Sequence, residues 1–216
     1  MSVSQVYTNQ YNNKVLKNTY GLLALTTGFS ALIAYFNSMW NISVNPLILL
    51  AVYFGLTFFT YRFKDSALGI LGAFAITGWL GFSLGPIIQS YLSIPNGSTI
   101  VTQAFLGTGL AFVGVNLYVQ FAKPTLNMKW LPIMFWTMIV AVGISLINYF
   151  FLQMPILSVI LSAAILLVSV MYLVYQTHAI INDGETNYVL ATIGIFASLY
   201  NIFVSLLNIL GFMSDD

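Results

Sequence analysis

Seven stretches of this chain run without a single Asp, Glu, Lys or Arg: Tyr20 to Asn37, Pro46 to Tyr61, Ser66 to Leu92, Ile100 to Ala122, Trp130 to Leu152, Pro155 to Thr177 and Tyr188 to Leu210. A helix that crosses a bilayer needs about 20 mostly apolar residues. A barrel strand would instead show about ten residues of alternating character, and these runs do not alternate. The sequence therefore predicts an all-α integral membrane protein with seven transmembrane helices. Composition agrees, with 59% hydrophobic and 5% charged residues, where a soluble domain carries roughly 25% charged. Such a chain cannot clothe itself in polar groups, and a bilayer is the solvent in which its surface is stable.

Breakers fill the short connections: Asn45-Pro46, Pro95-Asn96-Gly97 and Asp183-Gly184. No soluble domain fits between them. The expected organisation is a polar cytosolic tail over residues 1–19, a transmembrane domain over 20–210 and a short tail over 211–216. Residues 1–13 have neither charge nor pattern and are expected to lack regular structure. The polar start and the long first apolar run do not fit a cleavable signal.

All six basic residues fall at alternate boundaries: Lys14 and Lys17 before the first span, Arg62 and Lys64 after the second, Lys123 and Lys129 after the fourth. Cytoplasmic flanks retain Lys and Arg, so the N-terminus is expected in the cytosol and the C-terminus on the far side. A net charge of +1 with scattered cations does not suit nucleic acid. The absence of cysteine removes thiolate chemistry and cysteine-based metal sites.

Local signals mark several helix ends. Asn45 with Pro46 reads as an N-cap and first-turn proline, and Ser66 and Thr99 are further candidate caps. Trp40, Tyr91, Trp130, Tyr149 and Tyr188 fall near expected interfaces, where an amphipathic ring is stable. In the third span, Gly81 and Gly85 permit close helix contact, and Pro86 removes the hydrogen bond to the Phe82 carbonyl. Packing is the first reading of this cluster and a gating hinge the second.

No ionisable side chain lies at mid-span, where one would mark a functional site. No Ser/His/Asp set, His-x-x-x-His helix or glycine-rich phosphate loop can be assembled, so no enzymatic activity, metal or cofactor is expected. Near the sixth and seventh spans, His178 suits a helix C-terminus, while Asp183, Glu185 and Thr186 or Asn187 suit a helix N-terminus. A metal or proton site made from His178, Asp183 and Glu185 is the alternative. Gln89, Gln103, Asn116, Gln120, Asn148, Gln176, Asn201 and Asn208 lie within spans; most are expected to hydrogen-bond between helices, and a subset to line a polar cavity.

The stretch Glu185-Thr-Asn-Tyr, followed by Ala197-Ser-Leu-Tyr-Asn-Ile-Phe-Val-Ser-Leu-Leu-Asn-Ile-Leu-Gly211, resembles the C-terminal signature of the Bax inhibitor-1 family. Lys14-Val-Leu-Lys-Asn-Thr-Tyr20, Leu56-Thr-Phe-Phe-Thr-Tyr61 and Gly81-Phe-Ser-Leu-Gly-Pro-Ile87 extend the resemblance over nearly the whole chain. It implies six helices wrapped around a central seventh, in an inner membrane when bacterial. The bacterial members that the C-terminus most resembles imply a non-enzymatic regulator that associates with the membrane protease FtsH and restrains it. Other members imply the alternative, a calcium or proton leak whose gate is a pair of acids on the sixth and seventh helices with an arginine nearby. Carried over by position, those acids fall on Gln176 and Ser198, and the arginine on Arg62. A candidate polar gate region thus comprises Arg62, Gln176, His178, Ser198 and Asn201, beside a candidate cytosolic loop with Asp183 and Glu185. Gln176 and Ser198 can hydrogen-bond, but they can neither share a proton nor neutralise calcium as a carboxylate pair does. Arg62, lacking its acidic partner, would snorkel to the cytosol or pair with Asp183 or Glu185.

Overall fold

A computed structural model describes residues 3–122, 124, 129–182 and 187–214, with side chains from Lys14 onward. Its helices are α1 (Val3–Trp40), α2 (Pro46–Arg62), α3 (Ala67–Leu92), α4 (Gly97–Ala122), α5 (Trp130–Ile147), α6 (Pro155–Ile181) and α7 (Tyr188–Ser214), with α5 prolonged by a π-helical turn over Asn148–Leu152. Six of these stretches are long and apolar enough to cross a membrane, and α2 is a shorter apolar helix. No strand occurs among the described residues. The fold is that of a membrane helical bundle.

Most helix starts fall where the sequence places them. Two differ. α1 begins at Val3, so the segment expected to lack regular structure forms its first turns, and the tail boundary at residue 19 lies inside a helix. α4 begins at Gly97 and not at Ile100, because Asn96 turns the chain with φ 59° and its carbonyl accepts from the Thr99 and Ile100 amides. Thr99 is therefore inside the first turn and not its cap. Ser66 does precede α3, but its hydroxyl donates back to the Phe63 carbonyl (2.9 Å). Asn45 caps α2 as expected, its Oδ1 accepting from the Leu47 amide (2.9 Å).

The chain forms two compact units. The first comprises Met1–Ser90 and His178–Phe196. Here α3 carries a line of glycines against α1. A Cβ on Gly85 would stand 2.7 Å from the Ser38 nitrogen and 2.8 Å from the Ala34 carbonyl oxygen, and one on Gly81 would strike the Ser30 backbone. Only glycine lets these backbones approach so closely. Nearer the start of α3, Gly72 meets Thr60 of α2, and Trp79 Nε1 donates to the Leu49 carbonyl (3.0 Å). The Thr192 hydroxyl of α7 donates to the Thr19 carbonyl of α1 (3.2 Å).

Pro86 has no N–H, so the Phe82 carbonyl four residues back has no helical donor. Asn37 supplies one. Its fully buried side chain donates from Nδ2 to the Phe82 carbonyl (2.7 Å). The same amide group donates to the Ile42 carbonyl (3.0 Å), while its Oδ1 accepts from the Ile42 amide (3.3 Å). α3 runs helically through Pro86 to Leu92, and the packing reading of the cluster is the one these contacts support.

The second unit comprises Tyr91–Thr177 and Ala197–Asp216. In it Gly107 of α4 lies beside Leu206 of α7, and Gly211 beside the Tyr91 ring. Its outward faces are densely apolar, with Phe105, Leu110, Phe121 and Trp136 all exposed. In water such contiguous surface would aggregate; against acyl chains it is solvated. Burial is uneven: 56% of the apolar window of α7 is buried, against 11% for the span Trp130–Leu152.

Two stability effects follow. Asn37→Ala should cost about 1–3 kcal/mol by stranding a buried carbonyl. In a Pro86→Ala background, where Phe82 regains its own donor, the same change should cost less, and unfolding of the four proteins in detergent measures the difference. Gly85→Leu should reach or exceed the upper end of the roughly 1–3 kcal/mol typical of overpacking, because the obstructing atoms are backbone.

Candidate functional site

The candidate gate residues are distributed over both units. Arg62 ends α2 in the first, exposed, with its guanidinium 5.7 Å from the centre of the Phe63 ring. Lys64 lies likewise over Tyr61, at 5.0 Å. These cations rest on aromatic faces, an attraction worth about 0.5–1 kcal/mol at exposed sites. His178 is buried in the last turn of α6, and its carbonyl accepts from the Asn182 amide (2.8 Å). A histidine there matches the helix-terminus reading. Asp183 and Glu185, with Thr186, lie outside the described residues.

Gln176, Ser198 and Asn201 belong to the second unit. Gln176 is buried, and its Nε2 donates to the Tyr172 hydroxyl one turn back on α6 (2.7 Å). Tyr172 in turn stacks on Tyr175, with ring centres 6.3 Å apart. On α7, Ser198 is buried and Asn201 half-buried. At i, i+3 and i+7, Ser198, Asn201 and Ser205 share one helix face. Ser205 was not among the sequence candidates; its spacing from Asn201 is the signal that would have found it.

Two further hydroxyls stand out on α6. Ser169 and Thr177 are fully buried with no hydrogen-bond partner. Most helical Ser and Thr fold back onto a carbonyl of their own helix, as Thr26, Thr60 and Thr77 do here. Nothing in the sequence distinguishes the orphaned pair from those three.

The expectation that in-span amides bond between helices holds for Asn148, whose Nδ2 donates to the Ser158 hydroxyl of α6 (2.8 Å) while the same side chain closes the turn that joins α5 to α6. Asn116 donates to the Phe112 carbonyl (2.7 Å) and Gln176 to Tyr172, both four residues back on their own helices. In the first unit Asn187, like Asn37, joins distant segments. Its Oδ1 accepts from the Val189 and Leu190 amides (3.1 and 3.0 Å), capping α7. Its Nδ2 donates to the Lys64 carbonyl (3.2 Å) and to Asp65 Oδ1 (2.8 Å) in the α2–α3 connection. Asn187, one of two cap candidates, therefore caps the helix and also ties it to the segment that follows Arg62.

Chemically, Gln176 and Ser198 offer a carboxamide and a hydroxyl, neither of which titrates. No cluster of three His, Cys, Asp or Glu side chains occurs among the described residues.

Comparison with known proteins is consistent with the helical reading. The family described as "Inhibitor of apoptosis-promoting Bax1" matches residues 12–215. The chain is 43% identical over 205 residues to "Modulator of FtsH protease YccA" of Escherichia coli strain K12, covering 94% of this chain and 92% of that one. It has the same identity and coverage to "Inner membrane protein YccA" of Escherichia coli O6:H1. A Pseudomonas aeruginosa protein is 40% identical over 205 residues, covering 94% of this chain and 90% of its own. With its long apolar helices, the chain is a multi-pass protein of the inner membrane.

Asn187→Ala should cost about 1 kcal/mol or more through the lost cap. Hydrogen exchange gives the local readout: protection of the Val189 and Leu190 amides should fall, whereas Asp65→Asn, which retains an acceptor oxygen, should leave them protected.

Proposed function

The chain belongs to the Bax inhibitor-1 family, and on that premise we propose that it is a non-enzymatic inner-membrane regulator that associates with FtsH and restrains its proteolysis. The observation that carries this reading is the 43% identity, over 94% of the chain, to a protein named as a modulator of that protease. The chemistry supports it indirectly. A regulator needs only a stable, recognisable membrane body, and Gln176 and Ser198 carry no carboxylate. The proposed topology has seven spans, with α2 as the short one, the six basic residues on the cytosolic side and α7 as the inner helix. The basic boundaries and the heavy burial of α7 support it.

The test is degradation of a defined membrane substrate by purified FtsH in liposomes, with and without this protein. The expected outcome is slowing that grows with dose, together with co-purification. Unchanged degradation without association would overturn the reading. If residues 2–13 serve as a handle for the protease, their deletion should abolish the competition while leaving the protein folded.

A second reading, a calcium or proton leak, is favoured by the polar face of Ser198, Asn201 and Ser205 and by the orphaned hydroxyls of Ser169 and Thr177. Proteoliposomes would then pass either ion above the level of empty vesicles. Gln176→Asp with Ser198→Asp should raise calcium flux, since paired carboxylates attract a hard divalent cation. Flux equal to that of empty vesicles in both versions removes this reading.

A further inference from the structure

The connection between α5 and α6 is built unlike an aqueous loop. Two residues, Gln153 and Met154, join the π-helical turn of Asn148–Leu152 to Pro155 at the start of α6. Around them stand exposed, strongly apolar side chains, Phe151 at 80% exposure, Leu152, Met154 and Ile156, with the amphipathic ring of Tyr149. Gln153 is the one polar residue from Phe150 to Leu157, and there is no charge.

Its backbone is closed on itself. Gln153, in a left-handed conformation with φ 50°, donates its N–H to the Asn148 carbonyl (2.7 Å). The Met154 N–H donates to Asn148 Oδ1 (2.9 Å), and Pro155 has no N–H to satisfy. The Met154 carbonyl accepts from Asn148 Nδ2 (3.1 Å) and from the Ser158 amide (3.2 Å), while Asn148 Nδ2 also reaches the Ser158 hydroxyl (2.8 Å). Three successive residues therefore present no free N–H, and the Met154 carbonyl is also matched. This meets the donor side of what backbone in lipid requires, where an unsatisfied group costs several kcal/mol.

Length places the turn. The span Trp130–Leu152 has 23 residues, which at 1.5 Å per residue is about 34 Å, against a hydrocarbon core about 30 Å thick. At the usual tilt of about 20° that length spans about 32 Å, so a helix entering at Trp130 reaches the opposite boundary close to Leu152, and two residues leave little slack to project further. The exposed stripe of Val140, Ile144, Ile147 and Phe151 continues without a polar break from the lipid-facing side of α5 into the turn.

We propose that the α5–α6 turn is seated among lipid acyl chains at the edge of the hydrocarbon, sealed by the Asn148 side chain, and is a lipid-contact surface rather than an aqueous loop. The natural absence of cysteine makes the test direct. Single-cysteine variants Phe151→Cys and Met154→Cys are labelled with an environment-sensitive fluorophore in lipid nanodiscs, where both membrane faces are accessible. Val140→Cys on the apolar face of α5 and Ser98→Cys at the start of α4 serve as references. The expected result is strong quenching of the Phe151 and Met154 probes by acyl-chain spin labels, with iodide quenching several-fold weaker than at Ser98. Iodide quenching at both turn positions equal to that at Ser98 would overturn the proposal. Adding Asn148→Ala to the Met154→Cys protein should raise iodide quenching several-fold; no change would overturn the sealing role of Asn148.

Discussion

Every break in a helix within a bilayer frees backbone groups that water cannot reach, and this constraint organises the structure. Buried asparagines meet it at two places, and a third caps a helix at its end. Asn37 supplies the donor that Pro86 takes from the Phe82 carbonyl, Asn148 closes the α5–α6 turn, and Asn187 caps α7. Asn37 and Asn148 use the same geometry. Each reads both the N–H and the C=O of the residue just past a left-handed one, Ile42 after Asn41 and Met154 after Gln153. A carboxamide holds one donor group and one acceptor side by side, as a peptide does, so it can stand in for a missing backbone partner.

Glycine does the complementary work. Where α1 and α3 meet in the first unit, Gly81 and Gly85 bring main chain against main chain, and Asn37 lies in the same crossing. Close approach is thus what puts a side chain of one helix within reach of a carbonyl of the other. Small residues and a buried amide act together where α3 would otherwise be weakest.

The helices and their limits were legible in the sequence because charge is excluded from hydrocarbon and collects at its edges. Asn45-Pro46 marked a helix start correctly, since that cap depends on two adjacent residues only. Gly81, Gly85 and Pro86 were legible as a packing cluster, and the orphaned Phe82 carbonyl followed from the proline alone. Its partner was not, because Asn37 lies 45 positions away and only the helix crossing brings it near. The same limit hid the bond from Asn187 to Asp65, 122 positions apart. At the gate region, Gln176 and Ser198 showed from sequence that neither position carries a carboxylate. Sequence did not show that Gln176 turns to Tyr172, since an amide in a helix has acceptors on its own turn as well as beyond it.

The brevity of the α5–α6 turn bears on how the chain is inserted. A loop that must cross the membrane carries its polar and charged groups through hydrocarbon, and charged ones are the costly part. This connection has one polar side chain, and its amides are matched within the turn. In the proposed topology this is a connection that crosses; the work of translocating it is then correspondingly small, and with two joining residues neither helix can cross far ahead of the other. α5 and α6 therefore suit entry into the bilayer together, as a single helical hairpin during biogenesis.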